Sequence, residues 1–130
     1  MESSIVAPTA ANVQHAADLL RAGKLIGMPT ETVYGLAANA LDASAVAGIF
    51  HAKGRPATNP LVVHIADSDR LGEVCDLALV EPLRETINRL AGFWPGPLTL
   101  VLPKSANIPS IVTAGRQTVA VRVPAHPVAL

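Results

Sequence analysis

Thr118-Val119-Ala120-Val121-Arg122-Val123-Pro124 is the stretch that decides the fold class of this chain. Valine alternates with Thr, Ala and Arg, which is the period of a β-strand with one apolar face. The alternation places Thr118 and Arg122 together on the other face, and Pro124 ends the strand. A buried arginine needs an anionic partner or strong hydrogen bonds. That partner is either a structural Asp or Glu or the phosphate or carboxylate of a ligand, and we favour the ligand.

Further helices and strands precede this strand. Apolar residues at helical spacing predict three helices, at 13–20, 42–54 and 81–90. Runs rich in β-formers predict three more strands, at 25–28, 61–65 and 98–102. The third helix would turn Leu83, Ile87 and Leu90 inward, and the third of these strands is apolar at so many positions that we expect both of its faces to be buried. Mixed helices and strands predict an α/β or α+β class.

Two acidic or terminal stretches complete the secondary-structure prediction. The acidic stretch 67–76 predicts a short surface helix, and residues 127–130 predict the beginning of another helix. The sequence ends on the apolar residues Val128-Ala129-Leu130, where this helix would begin. We therefore expect a fragment of a longer domain.

Composition excludes several classes of protein. The 130 residues suffice for one compact domain but not two, and a hydrophobic fraction of 50% with 15% charged residues excludes a disordered chain and a long coiled coil. No apolar run approaches the roughly 20 residues of a membrane span. The acidic start at 1–4 does not resemble a secretory signal, and the single Cys75 can form neither an internal disulfide nor a zinc cluster. We therefore expect a cytoplasmic protein that does not bind a membrane.

The net charge of zero conceals an uneven distribution of charge. No Asp or Glu occurs between residues 43 and 66, the segment that contains Lys53 and Arg55. No acid follows Glu85, and the charged residues beyond it are Arg89, Lys104, Arg116 and Arg122. An anionic ligand responds to the local charge, so the neutral total does not exclude one.

The first candidate site is Pro29-Thr30-Glu31-Thr32-Val33-Tyr34-Gly35-Leu36, directly after the first predicted strand. Ligands of open α/β sheets bind where strands end, and here two hydroxyls, a carboxylate and a phenol occur within five residues. The alternative is a capped turn, in which Thr30 and Glu31 begin a helix and Tyr34 lies in the core. The residues alone leave both interpretations open.

The second candidate site is Lys53-Gly54-Arg55-Pro56, followed by Asn59 and His64. Its two cations could bind one phosphate chain, although a basic helix C-terminus of purely structural origin is also common. The absence of nearby acid favours the anion site, and the segment does not have the pattern of a Walker P-loop. His64 taken alone is more typical of a hydrogen-bonded core histidine than of a metal ligand.

Two further segments carry motifs, one structural and one a candidate site. Phe93-Trp94-Pro95-Gly96-Pro97-Leu98-Thr99 predicts a rigid structural turn anchored by Trp94. Thr118 and Arg122 share a strand face and form a possible fourth site. No Ser-His-Asp, Cys-His or dinucleotide-binding signature occurs in the sequence, so no residue is assigned as a catalytic nucleophile.

Taken in order, these segments resemble the YrdC-like domain of the threonylcarbamoyl-AMP synthases. The matching motifs are Pro29–Leu36, Lys53–Pro56, Asn59–Leu61 with His64, Trp94–Thr99 and Val119–Pro124. Each motif is weak alone, but five in register over nearly the whole chain are specific. The resemblance implies a twisted mixed sheet flanked by helices around a large basic cavity.

The resemblance also implies an activity. Members of the family condense L-threonine, bicarbonate and ATP into threonylcarbamoyl-AMP and release pyrophosphate. Partner proteins then transfer the threonylcarbamoyl group to tRNA. Mg²⁺ would be bound through the phosphates of ATP, and no protein metal site is expected.

Site residues follow by position in the matching motifs. Lys53, Arg55, Asn59 and Thr118 would bind ATP. Thr30, Thr32, His64 and Arg122 would bind threonine. Positioned cations and the joint holding of three substrates would then provide most of the catalysis.

One departure from the family concerns a Ser-Ala-Asn segment that its members carry on a later strand. Ser105-Ala106-Asn107 precedes the Arg122 strand and is therefore not its counterpart. We expect the true segment to lie beyond Leu130, so that residues 1–130 form a single YrdC-like domain truncated at its C-terminus.

Two alternatives remain for the function. The first is a non-catalytic module that binds double-stranded RNA or tRNA through the basic, acid-free regions. The second is the carbamoyl-adenylate domain of a hydrogenase-maturation carbamoyltransferase, although Pro29–Leu36 is closer to the branch that uses threonine.

Overall fold

The computed structural model describes residues 4–54, 56 and 58–130. Its helices are α1 (Ala10–Arg21), α2 (Ala43–Lys53), α3 (Leu77–Val80) and α4 (Arg84–Ala91). Its strands are β1 (Ile26–Pro29), β2 (Tyr34–Ala37), β3 (Val62–His64), β4 (Leu100–Pro103) and β5 (Thr118–Arg122). Two 3₁₀ segments, Ser68–Glu73 and Glu81–Leu83, flank α3. The mixed α/β class predicted from the sequence is confirmed.

The strands form two separate sheets. β5 lies in the centre of a three-stranded mixed sheet, parallel to β3 and antiparallel to β4. Its register places Arg122 opposite His64 and Thr118 opposite Pro103. β1 and β2 form an antiparallel hairpin of their own.

The valine face of β5 lies at the centre of the core, as its alternation predicts. Val119, Val121 and Val123 are 1%, 0% and 3% exposed. Burying each such side chain stabilises the fold by about 1.5 to 2 kcal/mol. The core is completed from β3, β4, α2 and α4, and from Ile108 and Val112 in the loop between β4 and β5.

Helix α2 connects the core to the loops around it. The Asp42 carboxylate accepts hydrogen bonds from the backbone N–H groups of Ser44 and Ala45, and Gly54 ends the helix in the left-handed conformation with φ of 61°. The sequence predicts both the cap at Asp42 and the end at Gly54. The buried apolar residues of α2 include Val46, Ile49 and Phe50.

Two predicted burial patterns are wrong. Val101 in β4 is 65% exposed while Leu100 and Leu102 are buried, because only one face of the sheet packs on the core. On the other face, Val62 of β3 lies in the same row as Val101 and is also exposed, at 43%. Leu83 is 55% exposed, since it lies in a 3₁₀ turn rather than in α4. The tighter winding of that turn removes Leu83 from the face that Ile87 occupies.

The remaining segments agree in part with the sequence. The acidic stretch forms a short helix as predicted, of the 3₁₀ type, at Ser68–Glu73. Near the end, the N–H groups of Ala129 and Leu130 both donate to the carbonyl of His126, which makes a single turn. Within the described residues, no helix has the length and apolar character needed to span a membrane.

Candidate functional site

A cleft of about 790 Å³ separates the β1–β2 hairpin from the three-stranded sheet, with α1 and α2 contributing to its wall. Most of the lining residues are apolar. Its described basic residues, besides His64, are Arg21, Lys53, Arg70 and Arg122, against the single acid Glu73. The described wall does not show the basic cavity that the family resemblance implies, so that cavity remains a prediction.

Arg122 is the central charged group of the cleft. It is 8% exposed, and its Nε donates to the carbonyl of Gly96 at 2.9 Å. Its Nη1 donates to Oγ1 of Thr32 at 3.3 Å, and its Nη2 is ion-paired with Oε1 of Glu31. The partner is therefore a structural carboxylate, contrary to our preference for a ligand. Arg122 nevertheless borders the cleft, and its contact with a ligand remains a prediction.

Glu31 joins the hairpin loop to the segment after β5. Its second oxygen, Oε2, accepts a hydrogen bond from the backbone N–H of Ala125 at 2.9 Å. Desolvation raises the pKa of Glu31, but hydrogen bonds from Arg122 and the backbone, together with the Arg122 charge, outweigh it and hold the pKa below the usual value. The carboxylate therefore remains ionised at neutral pH.

Thr30 and Thr32 form a hydrogen-bonded turn between β1 and β2. Oγ1 of Thr30 donates to the carbonyl of Val33 at 2.7 Å and accepts from the N–H of Val33 at 3.1 Å. Oγ1 of Thr32 lies 3.0 Å from Oγ1 of Thr30. The capped turn is confirmed, but it leads into a strand rather than a helix. Tyr34 is 85% exposed, so its predicted place in the core is wrong.

His64 lies on β3 directly opposite Arg122, with its side chain exposed at the cleft. The alternative of a core histidine is therefore wrong. Desolvation and the Arg122 charge lower the pKa of His64, and the Glu31 charge opposes them only in part. The imidazole is consequently neutral at physiological pH and can both donate and accept hydrogen bonds.

The predicted ATP-binding residues are not all at the cleft. Lys53, the last residue of α2, lines it. Asn59 and Thr118 are exposed and are absent from its described lining. Thr118 lies four residues before Arg122 on β5, which separates the two by roughly 13 Å. Arg55 lies outside the described residues. The roles of these residues toward ATP remain predictions.

The turn at 93–99 is confirmed as a structural anchor and also supports the site. Nε1 of Trp94 donates to the carbonyl of Leu98 at 2.7 Å. Gly96 donates its N–H to the carbonyl of Val123 and accepts from Arg122 with its own carbonyl. A Cβ at Gly96 would lie 2.8 Å from the Phe93 carbonyl oxygen, so only glycine fits there.

Sequence reasoning missed Arg21 and Arg70, which line the cleft from α1 and from the segment after β3. Each forms an exposed ion pair within its own element, with Asp18 and Glu73 respectively. Nothing in the local sequence distinguishes them from ordinary surface residues. Cys75 is buried, and desolvation raises the pKa of its thiol to about 11, so it does not provide a nucleophile. Among the described residues, no three His, Cys, Asp or Glu side chains are grouped to hold a metal ion.

Comparisons with known proteins identify the family of this chain. A family model described as "Sua5_yciO_yrdC: Telomere recombination" matches residues 18–130. The chain belongs to the Sua5/YciO/YrdC family.

Curated members of the Sua5/YciO/YrdC family include close relatives of this chain. The threonylcarbamoyl-AMP synthase of Pyrococcus abyssi is 57% identical over 119 residues, which are 91% of this chain and 34% of that protein. The enzyme of the same name from Bacillus subtilis is 50% identical over 119 residues, or 91% of this chain and 33% of that protein. The chain thus spans about a third of the length of these relatives.

Solved structures of the family share the fold. The crystal structure of P. abyssi Sua5 complexed with L-threonine has a TM-score of 0.83 and 50% identity, and covers 98% of this chain and 36% of that one. Escherichia coli YciO has a TM-score of 0.69 over 93% of this chain and 57% of its own, and at 22% identity it supports the fold alone. The family resemblance drawn from the sequence motifs is confirmed.

Proposed function

We propose that the protein carrying this chain is an L-threonylcarbamoyladenylate synthase. It would make threonylcarbamoyl-AMP and pyrophosphate from L-threonine, bicarbonate and ATP, for the modification of tRNA by partner proteins. One observation carries the proposal. The residues Thr30, Thr32, His64 and Arg122 converge on one cleft, in a chain with 50% identity to a Sua5 structure solved with L-threonine.

The polar wall of the cleft suits an amino acid with a hydroxyl side chain. Arg122 offers a guanidinium for the threonine carboxylate. The hydroxyls of Thr30 and Thr32 and the neutral imidazole of His64 offer donors and acceptors for the substrate's hydroxyl and amine. Because the imidazole of His64 is neutral, it would place no positive charge beside the amine of threonine.

The reaction would need positioning rather than a protein nucleophile. The amine of threonine would attack bicarbonate with loss of water, or carbon dioxide with loss of a proton, to give a carbamate. A carbamate oxygen would then attack the α-phosphorus of ATP, and pyrophosphate would leave. Negative charge would accumulate on the phosphate oxygens, where Lys53 in the cleft lining, together with Arg55 two residues later in the sequence, would stabilise it.

The proposed reaction would use ATP with bound Mg²⁺. Bound to the phosphates, it would reduce their charge and assist departure of pyrophosphate. The hard oxygen ligands that Mg²⁺ prefers would come mainly from ATP and water.

The two alternative functions receive less support. The described wall of the cleft is too apolar for a surface that follows a nucleic-acid backbone. The named relatives of the chain are threonylcarbamoyl-AMP synthases, not hydrogenase-maturation carbamoyltransferases.

Substrate dependence tests the function directly. The protein is incubated with ATP and Mg²⁺, and pyrophosphate release is measured with threonine and bicarbonate present together or with either one omitted. We expect release only when both are present. Release that is indifferent to threonine would contradict the proposal.

A pair of variants locates the threonine site within the same assay. Thr32→Val removes the hydroxyl that Arg122 contacts, and we expect the KM for threonine to rise roughly tenfold, as for a lost hydrogen bond to a charged group. Thr86→Val makes the same change at an exposed position on α4 and serves as the matched control. An equal response of the two variants would remove Thr32 from the site.

A further inference from the structure

Glu31 contacts Arg122 but is not itself among the described residues that line the cleft. The described lining includes its neighbours Thr30 and Thr32, and also Arg122, but not Glu31 itself. Both oxygens of its carboxylate are nevertheless engaged, Oε1 by Nη2 of Arg122 and Oε2 by the N–H of Ala125. Glu31 therefore contacts the charged group of the site without lining the cleft.

The guanidinium of Arg122 is held by three residues from two segments of the chain. Nε donates to Gly96 in the turn before β4, Nη1 to Thr32 in the hairpin loop and Nη2 to Glu31. Three contacts on three nitrogens fix both the position and the plane of the group. Of these acceptors only Glu31 carries a charge, so its hydrogen bond is the strongest.

The two threonine hydroxyls beside Arg122 form hydrogen bonds in a single direction. Oγ1 of Thr30 donates its only proton to the Val33 carbonyl. The proton between the two threonine hydroxyls must then come from Thr32, which leaves Oγ1 of Thr32 as the acceptor for Nη1 of Arg122. Every donor in this series points away from Arg122, so Oγ1 of Thr32 presents a lone pair to the guanidinium.

We propose that Glu31 is a positioning residue that fixes the Arg122 guanidinium in the orientation that receives the carboxylate of the amino-acid substrate. The role rests on the proposed function of the cleft. An arginine already held in place needs no reorganisation when the substrate arrives, and this raises its effect on binding.

Charge and position have to be separated in the test, because removing Glu31's charge would also remove repulsion of a substrate carboxylate. Glu31→Asp keeps the charge and shortens the side chain by one methylene, so the carboxylate can no longer reach both Arg122 and Ala125. Glu85→Asp is the matched control, since Glu85 forms an ion pair with Arg89 on the surface of α4 and is 84% exposed in its side chain.

The readout is the division between KM and kcat in threonine-dependent pyrophosphate release. We expect Glu31→Asp to raise the KM for threonine by roughly tenfold to a hundredfold, as for a displaced group that orients a ligand contact. The KM for ATP should change less than about twofold, and Glu85→Asp should leave both constants unchanged. A purely structural defect would reduce the concentration of active enzyme, and so kcat, without changing either KM.

The outcomes are distinguishable. A wild-type protein without threonine dependence would overturn the proposed function and this role with it. A threonine-dependent wild type with an unchanged KM in Glu31→Asp, or a rise shared equally by threonine and ATP, would overturn the positioning role alone.

A second measurement does not require the variant to fold. In wild-type protein labelled with ¹⁵N-arginine, we expect the Nη resonances of Arg122 to be resolved at neutral pH, because held guanidinium groups rotate slowly. Averaged Nη resonances for Arg122 would overturn the role of Glu31 in fixing it.

Discussion

The three-stranded sheet and the β1–β2 hairpin are held in place by different forces. In the sheet, the valine face of β5 is almost completely inaccessible to solvent and packs with α2 and α4. In the hairpin and α1, no described residue between 4 and 44 is buried. The hairpin is connected to the sheet mainly through polar contacts of its loop, those of Glu31 and Thr32 with Arg122 and that of Glu31 with Ala125.

The difference explains why the candidate site lies between the two regions. A packed sheet provides a rigid face, and Arg122 and His64 project from it at fixed positions. A hairpin attached by a few hydrogen bonds opens at a smaller energetic cost than the sheet, because it buries less apolar surface. The candidate site therefore lies between a rigid face and a hairpin that is less firmly attached.

The largest expected effect is a loss of stability in the sheet. Val121→Ala removes two methyl groups from a side chain with 0% exposure, and we expect it to lower the free energy of unfolding by about 2 to 3 kcal/mol. Val33→Ala makes the same change in the hairpin, where Val33 is 66% exposed, and should change it by less than about 0.5 kcal/mol. Chemical denaturation of both variants measures the difference. Equal losses would mean that the hairpin is as tightly packed as the sheet.

The next effect concerns the polar connection. Glu31→Ala removes the acceptor for Arg122 and Ala125, and we expect amide hydrogen exchange in β1 and β2 to accelerate roughly tenfold while β4 and β5 change less than about twofold. Glu85→Ala, which breaks an exposed ion pair of the same kind, is the control. Faster exchange in both sheets alike would show that Glu31 supports the whole fold and not the hairpin.

The smallest effect is electrostatic and is measured as the pKa of His64, which interacts with the charges of both Arg122 and Glu31. Because desolvation and Arg122 lower its pKa, the NMR titration midpoint should lie below the usual 6.5. Stability should accordingly fall as the pH drops below 6.5 toward the folded-state pKa, since the unfolded chain takes up the proton first. Glu31→Ala removes the charge that raises this pKa, so the midpoint should move lower still. An upward movement would contradict the arrangement around Arg122.

Much of the fold could be predicted because its signals are local. The Asp42 cap and Gly54 define α2, and the alternating valines define β5. Which face of a strand is covered could not be predicted in the same way. Leu-Val-Leu in β4 predicts a strand buried on both faces, and only the folded structure shows that the face with Val101 is left uncovered.

The candidate site was predictable in its residue types more than in its contacts. The Thr-Glu-Thr loop, His64 and Arg122 were identified from motifs, and four of those side chains line one cleft. Thr118 shows the limit of such reasoning. It shares a strand face with Arg122, as the period of two requires, yet four residues of extended chain carry it away from the cleft.

By itself, the sequence determined the mixed α/β class, the core face of β5 and the family motifs, because periodicity, capping and turn chemistry act over a few neighbouring residues. Only the tertiary structure decided that the anion beside Arg122 is Glu31. The two residues are 91 positions apart in the chain, and the attraction between their charges operates only after folding has placed the hairpin loop at the end of β5.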